Sequence, residues 1–197
     1  MPYQGSALTA DCYDGTVCLI NKFNIRDEKK LAMMEADITL AKTMELVKNP
    51  IQGNFDFTHY KAIHKFLFED LYDWAGQIRT VDMSKKGTRF VKAAEIEPLA
   101  ESCFNRFKKN NFFVGYPFDD FIPAIVDFYC TTNLLHPFRE GNGRTQKIFV
   151  NQLAEHAGYH IHFSTMDADE LMIATIYAAQ GIVDQLEKLF YDNTINN

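Results

Sequence analysis

The strongest constraint on the fold of this chain is a break at His136-Pro137 between two apolar segments. The residues from Phe121-Ile122 to Leu134-Leu135 are strongly apolar and read as a buried helix. Pro137 biases the residue before it away from helix, so the run stops there. From Arg144 to Ala157 apolar side chains return at Ile148, Phe149, Val150, Leu153 and Ala154, close to helical spacing. The chain is therefore read as being organised around helix, short loop, helix. Phe138, apolar between polar neighbours, is expected to anchor that loop in the core.

The loop has a definite chemistry. In Gly141-Asn142-Gly143 the glycines permit positive φ, so successive backbone N–H groups can converge on an anion. The free N–H groups of the following helix favour an anion too. Arg144 is a cation at the positive end of that helix, where it is disfavoured by itself, and Lys147 lies three residues on along the same face. Two cations at a helix N-terminus make sense around a polyanion, and a phosphate chain is the natural candidate. Glu140 is a hard oxygen ligand suited to Mg²⁺, which bridges carboxylates and substrate phosphates. His136 is the side chain here able to act as a base near pH 7.

The stretch His136-Pro137-Phe138-Arg139-Glu140-Gly141-Asn142-Gly143-Arg144-Thr145-Gln146-Lys147 resembles the motif of the Fic family, His-x-Phe-x-[Asp/Glu]-Gly-Asn-Gly-Arg-x-x-Arg. The match is ungapped and departs at one fixed position, where Lys147 replaces the final Arg. The segment from Tyr13-Asp14-Gly15-Thr16 to Leu19-Ile20-Asn21 resembles the start of stand-alone Fic toxins, and the likeness extends over the whole chain.

Composition bounds the reading. A chain of 197 residues, 47% hydrophobic, suits one domain with a substantial core. The net charge of −6 argues against a general nucleic-acid or anionic-membrane binder, although Arg139, Arg144 and Lys147 could form a local basic pocket. Cys12, Cys18, Cys103 and Cys130 lack Cys-x-x-Cys spacing and read as reduced thiols. With no secretory signal or membrane-spanning run, the expected location is the bacterial cytoplasm. Delivery by a specialised secretion system would leave no mark in this sequence.

Along the chain, Asp27 to Lys48 reads as a long helix. Leu31, Met34, Ile38, Ala41 and Glu45 trace one stripe, widened by Met33, Leu40, Met44 and Val47 into an expected core face. A second helix is expected from Thr58 as N-cap to about Trp74, with His59 and His64 on the surface or internally satisfied. Gln77 to Lys92 reads as strand, turn, strand. A hairpin in a helical protein can pair its edge with an incoming segment. Further helices are expected over 94–109, with Ile96, Leu99, Cys103, Phe104 and Phe107 inward, and over 168–179. Asn193 to Asn197 is expected to fray. The fold class is all-α with one β-hairpin, within a single domain over residues 1–197.

The resemblance implies more. The hairpin corresponds to the family's flap, which covers the active site and docks a target segment, with Thr88, Arg89 and Phe90 at the docking position. The implied activity is adenylyl transfer from ATP to a Tyr, Thr or Ser hydroxyl of a target protein, releasing pyrophosphate. His136 would be the base and Glu140 the Mg²⁺ ligand. Gly141, Asn142, Gly143 and Arg144 would hold the phosphates, with Lys147 towards their distal end. In the family the last Arg also meets an inhibitory Glu of a Ser/Thr-x-x-x-Glu motif, and no Glu here follows Ser or Thr at that spacing. The implied partner is then a small antitoxin supplying that Glu. Another nucleotide or a phosphocholine donor, phosphotransfer, and a non-catalytic nucleotide-binding module are the alternatives. The intact Gly-Asn-Gly, His136, Glu140 and Arg144 favour AMP transfer.

Overall fold

The computed structural model describes residues 10–196. Residues 1–9 of the turn-rich N-terminal stretch, and Asn197 of the stretch expected to fray, lie outside the described residues. The described elements are α1 (Glu28–Lys48), α2 (Phe57–Phe68), β1 (Ser84–Lys85), β2 (Thr88–Arg89), α3 (Ile96–Lys109), α4 (Phe118–Leu135), α5 (Asn142–His156), β3 (Tyr159–Ile161), α6 (Ala168–Ala178), α7 (Asp184–Asp192) and β4 (Thr194–Asn196). The fold is thus helical with small antiparallel pairs, matching the expected class.

The apolar run before His136 forms α4, and the run after Gly143 forms α5. The two pack together, and α2 crosses α5 on the other side. Ile63 and Leu67 of α2, Phe121 and Phe128 of α4, and Phe149 and Val150 of α5 are almost wholly buried in this contact. Phe138 is fully buried, stacked on His64 at 3.7 Å and on Tyr60 at 5.7 Å between ring centroids. Full burial of one such ring contributes about 1.5–3 kcal/mol. The loop that carries the motif is therefore held by its own central side chain.

Several expectations are corrected. The second helix starts one residue before Thr58, because Asp56 is the cap and its carboxylate accepts the His59 N–H at 2.8 Å. It stops at Phe68, and residues 69–76 turn instead of continuing the helix. Leu99 is 45% exposed, since α3 turns Ile96, Ala100, Cys103, Phe104 and Phe107 inward. The C-terminal stretch is held rather than frayed: Thr194–Asn196 pairs with Tyr159–Ile161, and the Thr194 hydroxyl bonds to the Phe190 carbonyl at 2.7 Å.

The largest correction concerns α1. Its buried residues are Leu31, Glu35, Thr39 and Leu46, while Met33, Leu40, Met44, Val47, Ala41 and Glu45 face solvent. An apolar helix face normally turns to the core. Here a face carrying a carboxylate and a hydroxyl turns inward, because a cation and a phenol wait for them there.

The hairpin is shorter than expected. Ser84 pairs with Arg89 and Lys85 with Thr88. Lys86 and Gly87 turn the chain with φ of 48° and 83°, the positive pair that matches strand twist in a two-residue turn.

Candidate active site

The α4–α5 loop starts with His136 in a left-handed conformation, φ 41° and ψ 58°. That conformation is uncommon for a residue with a side chain. Hydrogen bonds from the hairpin region hold this part of the loop. Arg79, buried below the hairpin, donates from Nε to the His136 carbonyl at 2.8 Å. Its Nη1 and Nη2 donate to the carbonyls of Val81 and Val91, each at 2.5 Å. The Arg79 N–H donates to Pro137 and the Val91 N–H to Leu134. One guanidinium thus ties both legs of the hairpin to the backbone of the motif.

The His136 ring stacks on Phe90, with centroids 3.7 Å apart and planes at 8°. Its Nδ1 lies 3.3 Å from the Asn133 carbonyl. Burial pushes the His136 pKa down to about 3; the Asn133 carbonyl opposes this and the nearby Arg79 and Lys85 charges add to it. His136 is therefore neutral at physiological pH, and one carbonyl contact to Nδ1 favours the proton there, leaving Nε2 as the acceptor.

Beyond Phe138 the loop closes on itself. The Asn142 side chain accepts from the Phe138 N–H at 2.8 Å and donates to the Phe138 carbonyl at 2.7 Å. Asn142 is buried, so its side chain is committed to the loop and its backbone is what remains for a ligand. His64 supports the loop from below. Its Nε2 contacts the Glu140 carbonyl at 3.0 Å and its Nδ1 accepts the Gly76 N–H at 2.8 Å. Those roles fix a neutral tautomer with the proton on Nε2, and burial lowers the His64 pKa to about 3. Gly141 caps α5 with φ 77°, and the Phe68 ring occupies the space a Cβ would need.

Arg144 and Lys147 both line the cleft, but in different states. Arg144 is bonded to Glu35 through Nη2 and to Thr39 Oγ1 through Nη1 at 3.1 Å, and lies 4.8 Å from the Phe68 centroid. Tyr72 donates to the second Glu35 oxygen at 2.5 Å; burial and the Glu35 charge raise its pKa, so it stays a donor. A buried carboxylate is tolerable when paired and hydrogen-bonded in this way. Lys147 has no carboxylate partner among the described residues, and burial lowers its pKa. Glu140 Oε1 accepts the Gly141 N–H at 2.8 Å and sits 3.5 Å from Arg144.

These groups meet in a cleft of about 380 Å³. Its wall is formed by His136, Glu140, Gly141, Gly143, Arg144 and Lys147 on the loop side. Lys85, Lys86, Thr88 and Phe90 line it from the hairpin, and Met172, Thr175 and Ile176 from α6. Of the residues singled out in the sequence, Arg89 is exposed and does not line the cleft, and Arg139 is buried elsewhere, 3.4 Å from Asp11. The expected basic pocket therefore contains Arg144 and Lys147 without Arg139. A second groove of about 450 Å³, between α1, α5 and β3, shares Arg144 and Lys147 with the cleft.

Sequence reasoning gave no site role to Glu35, Tyr72 or His64, nor to Arg79, which falls within the Gln77 to Lys92 hairpin stretch. The available signal was Glu35 and Thr39 one turn apart on the same helical stripe as Leu31 and Leu46, which is a conflict unless that face meets a cation.

Residues 54–154 match the Fic/DOC family. A protein adenylyltransferase of Bartonella schoenbuchensis, VbhT, is 35% identical over 178 residues, which is 90% of this chain and 37% of that protein. The Escherichia coli K12 protein named probable protein adenylyltransferase Fic is 31% identical, with 90% of this chain and 88% of that one aligned. The crystal structure of BepC from Bartonella tribocorum with bound AMPPNP superposes at a TM-score of 0.90 and 27% identity, covering 95% of this chain and 97% of that one. The N-terminal Fic domain of a Bartonella quintana effector with bound ADP gives 0.91 at 27% identity, with 95% of each chain covered. This chain belongs to the Fic/DOC family.

Proposed function

We propose that the chain is a protein adenylyltransferase, acting as a single Fic domain. The carrying observation is that His136, Glu140, the α5 N-terminus, Arg144 and Lys147 converge on one cleft beneath the hairpin. The substrate is ATP, and the acceptor is a Tyr, Thr or Ser hydroxyl of a target protein.

In this reading the backbone of Gly141, Asn142 and Gly143 receives the phosphates, helped by the free N–H groups of α5. Arg144 binds the phosphate chain, with its guanidinium already oriented by Glu35 and Thr39. Lys147 reaches the distal phosphate. The target segment docks along Thr88, Arg89 and Phe90, which brings its hydroxyl to His136. His136 takes the hydroxyl proton as the oxygen attacks the α-phosphorus. One P–O bond forms, the bond to the β-phosphate bridge breaks, and pyrophosphate leaves. Positioning and charge stabilisation supply most of the acceleration in such a transfer.

Glu140 fits a magnesium ligand. Its Oε1 is held by Gly141, its other oxygen takes no hydrogen bond among the described residues, and one carboxylate with substrate phosphates is a common Mg²⁺ arrangement. Held by Glu140, such an ion would supply neutralisation of substrate phosphate charge.

The groove shared with Arg144 and Lys147 supports a second part of the reading. A small antitoxin would seat a helix there and place a Glu against Lys147, as expected of the toxin of a toxin–antitoxin pair. No helix among the described residues is long and apolar enough to cross a membrane. A cytoplasmic site of action, with delivery into another cell as a further step for a translocated form, belongs to the same proposal.

The test is transfer of label from ATP marked at the α- or at the γ-phosphate, in bacterial lysate with Mg²⁺. Protein labelled from the α-position alone is expected. Label from the γ-position alone would replace this reading with phosphotransfer.

A further inference from the structure

Arg144 lies between two carboxylates, Glu35 of α1 and Glu140 of the motif loop. Its Nη2 is bonded to Glu35 Oε1 and sits 3.5 Å from Glu140 Oε1. The bond to Glu35 is framed by its neighbours. Arg144 Nη1 donates to Thr39 Oγ1 at 3.1 Å, and that hydroxyl donates in turn to the Glu35 carbonyl at 2.7 Å. Tyr72 donates to the other Glu35 oxygen at 2.5 Å. Glu140 has a lighter hold, with Oε1 accepting the Gly141 N–H at 2.8 Å.

Burial decides which carboxylate keeps the guanidinium. The Glu35 side chain is 12% exposed and the Glu140 side chain 31%. An ionised carboxylate out of water is costly unless it is paired, whereas Glu140 can turn to solvent or to a ligand. Glu35 therefore holds Arg144 more firmly than Glu140 does. Both carboxylates line one small cavity of about 140 Å³ together with Tyr72, so they face a common space. Without the Glu35 charge, the acid left within ion-pair reach of Arg144 among the described residues is Glu140, at the spacing of a helical ion pair. Arg144 and Glu140 would then sum to zero charge where a cation has to bind.

We propose that Glu35 is a positioning residue that keeps Arg144 off Glu140 and so leaves the Glu140 carboxylate open to Mg²⁺ on the substrate phosphates. This rests on the adenylyltransferase reading and deepens it, because it makes the inner face of α1 the part of the fold that sets the metal affinity of the site. It also gives a reason for a helix with an apolar face to turn Glu35 and Thr39 inward instead.

The test measures ADP binding to the full chain by calorimetry, once with Mg²⁺ and once with EDTA. The ratio of the two affinities is the gain from the metal, read without any transfer reaction. Glu35→Gln keeps the size of the side chain and an acceptor for Arg144 but removes the charge. Its metal gain should fall about fivefold, the worth of a partly exposed ion pair, while ADP binding in EDTA holds or tightens. Thr39→Val removes only the Nη1 anchor and should lower the gain about twofold. Glu28→Gln removes a charge two turns away on α1 and should keep the wild-type gain. An unchanged gain in Glu35→Gln, an equal loss in Glu28→Gln, or a fall in ADP affinity that is the same with and without Mg²⁺ would overturn the proposal. Should Glu35→Gln fail to fold, Thr39→Val decides, and an unchanged gain there overturns it. A wild type that labels lysate protein from α-labelled ATP yet shows no metal gain also overturns it and leaves the transferase reading standing. A wild type that neither binds ADP nor labels lysate protein removes that reading itself.

Discussion

Replacing Gly141 with Ala tests whether the loop is held as described. Gly141 sits at φ 77°, where a residue with a Cβ loses roughly 1–2 kcal/mol. The added Cβ would lie 2.1 Å from Cζ and 2.2 Å from Cε2 of Phe68. Phe68 is fully buried, so it cannot swing into solvent, and overpacking of this kind costs about 1–3 kcal/mol. The sum is about 2–5 kcal/mol, or a fall of roughly 4–20 °C in melting temperature for a chain this long. Phe68 also carries the Arg144 guanidinium on its ring and stacks on His64 at 4.7 Å. Displacing it disturbs the phosphate clamp and the loop support together, so transfer activity should fall with stability. Gly143 is the internal control. A Cβ there meets nothing within 4 Å, and the backbone is helical. Gly143→Ala should hold or raise stability, since Ala exceeds Gly by about 1 kcal/mol in a helix, while losing activity through the phosphate contact. Calorimetric melting and label transfer on both variants decide the matter. A Gly141→Ala protein melting within about 2 °C of wild type, or a Gly143→Ala protein less stable yet fully active, would refute the reasoning.

Arg79→Met should cost about 3 kcal/mol in urea unfolding, because one buried and two part-buried carbonyls lose a charged donor, and should lower kcat far more than ATP affinity. Arg79→Lys, which reaches fewer of them, should recover only part of the loss. Lys147→Arg should raise activity modestly and tighten inhibition by a cognate antitoxin, because the fork replaces a point charge. Its activity should also persist to higher pH, since burial lowers the Lys147 pKa and Arg stays charged; equal or lower activity with unchanged inhibition would count against this. His64 and His136 both titrate near 3 in the folded protein, against about 6.5 unfolded. Between those values the unfolded chain binds more protons, so stability is full above the unfolded pKa and is lost as pH falls towards the folded one. Each histidine contributes a slope of up to about 1.4 kcal/mol per pH unit, and His64→Gln should remove one such share from the urea-derived profile between pH 6 and 4. An unchanged slope would show that His64 is not buried neutral.

The contiguous part of the candidate site was legible in the sequence. His136 to Lys147 is one loop and the start of one helix, so spacing alone brings these residues together. Phe138 could be assigned to the core because it is the apolar residue of a polar stretch, and it is fully buried. The residues that hold this loop were not legible, because their partners are remote in sequence. Glu35 meets Arg144 across 109 positions, His64 meets Glu140 across 76, and Arg79 meets His136 across 57. No periodicity rule links residues at such distances. The inner face of α1 was misjudged for the same reason. Its hydrophobic pattern points Met33, Leu40, Met44 and Val47 inward, and only the distant Arg144 makes the polar face the buried one. Thr194–Asn196 was misjudged because a three-residue strand carries too little pattern to outweigh a terminal position.

The most direct test of the account compares wild type with His136→Ala in two measurements on the same preparations. One is AMP transfer from α-labelled ATP to target protein, and the other is ATP binding by calorimetry. The groups proposed to face the phosphates on the motif loop all lie after His136, from Glu140 to Lys147. The account therefore expects transfer to vanish while ATP binding and melting temperature stay close to wild type. A His136→Ala protein that still labels its target would contradict the role given to this side chain, and with it the mechanism built on the cleft.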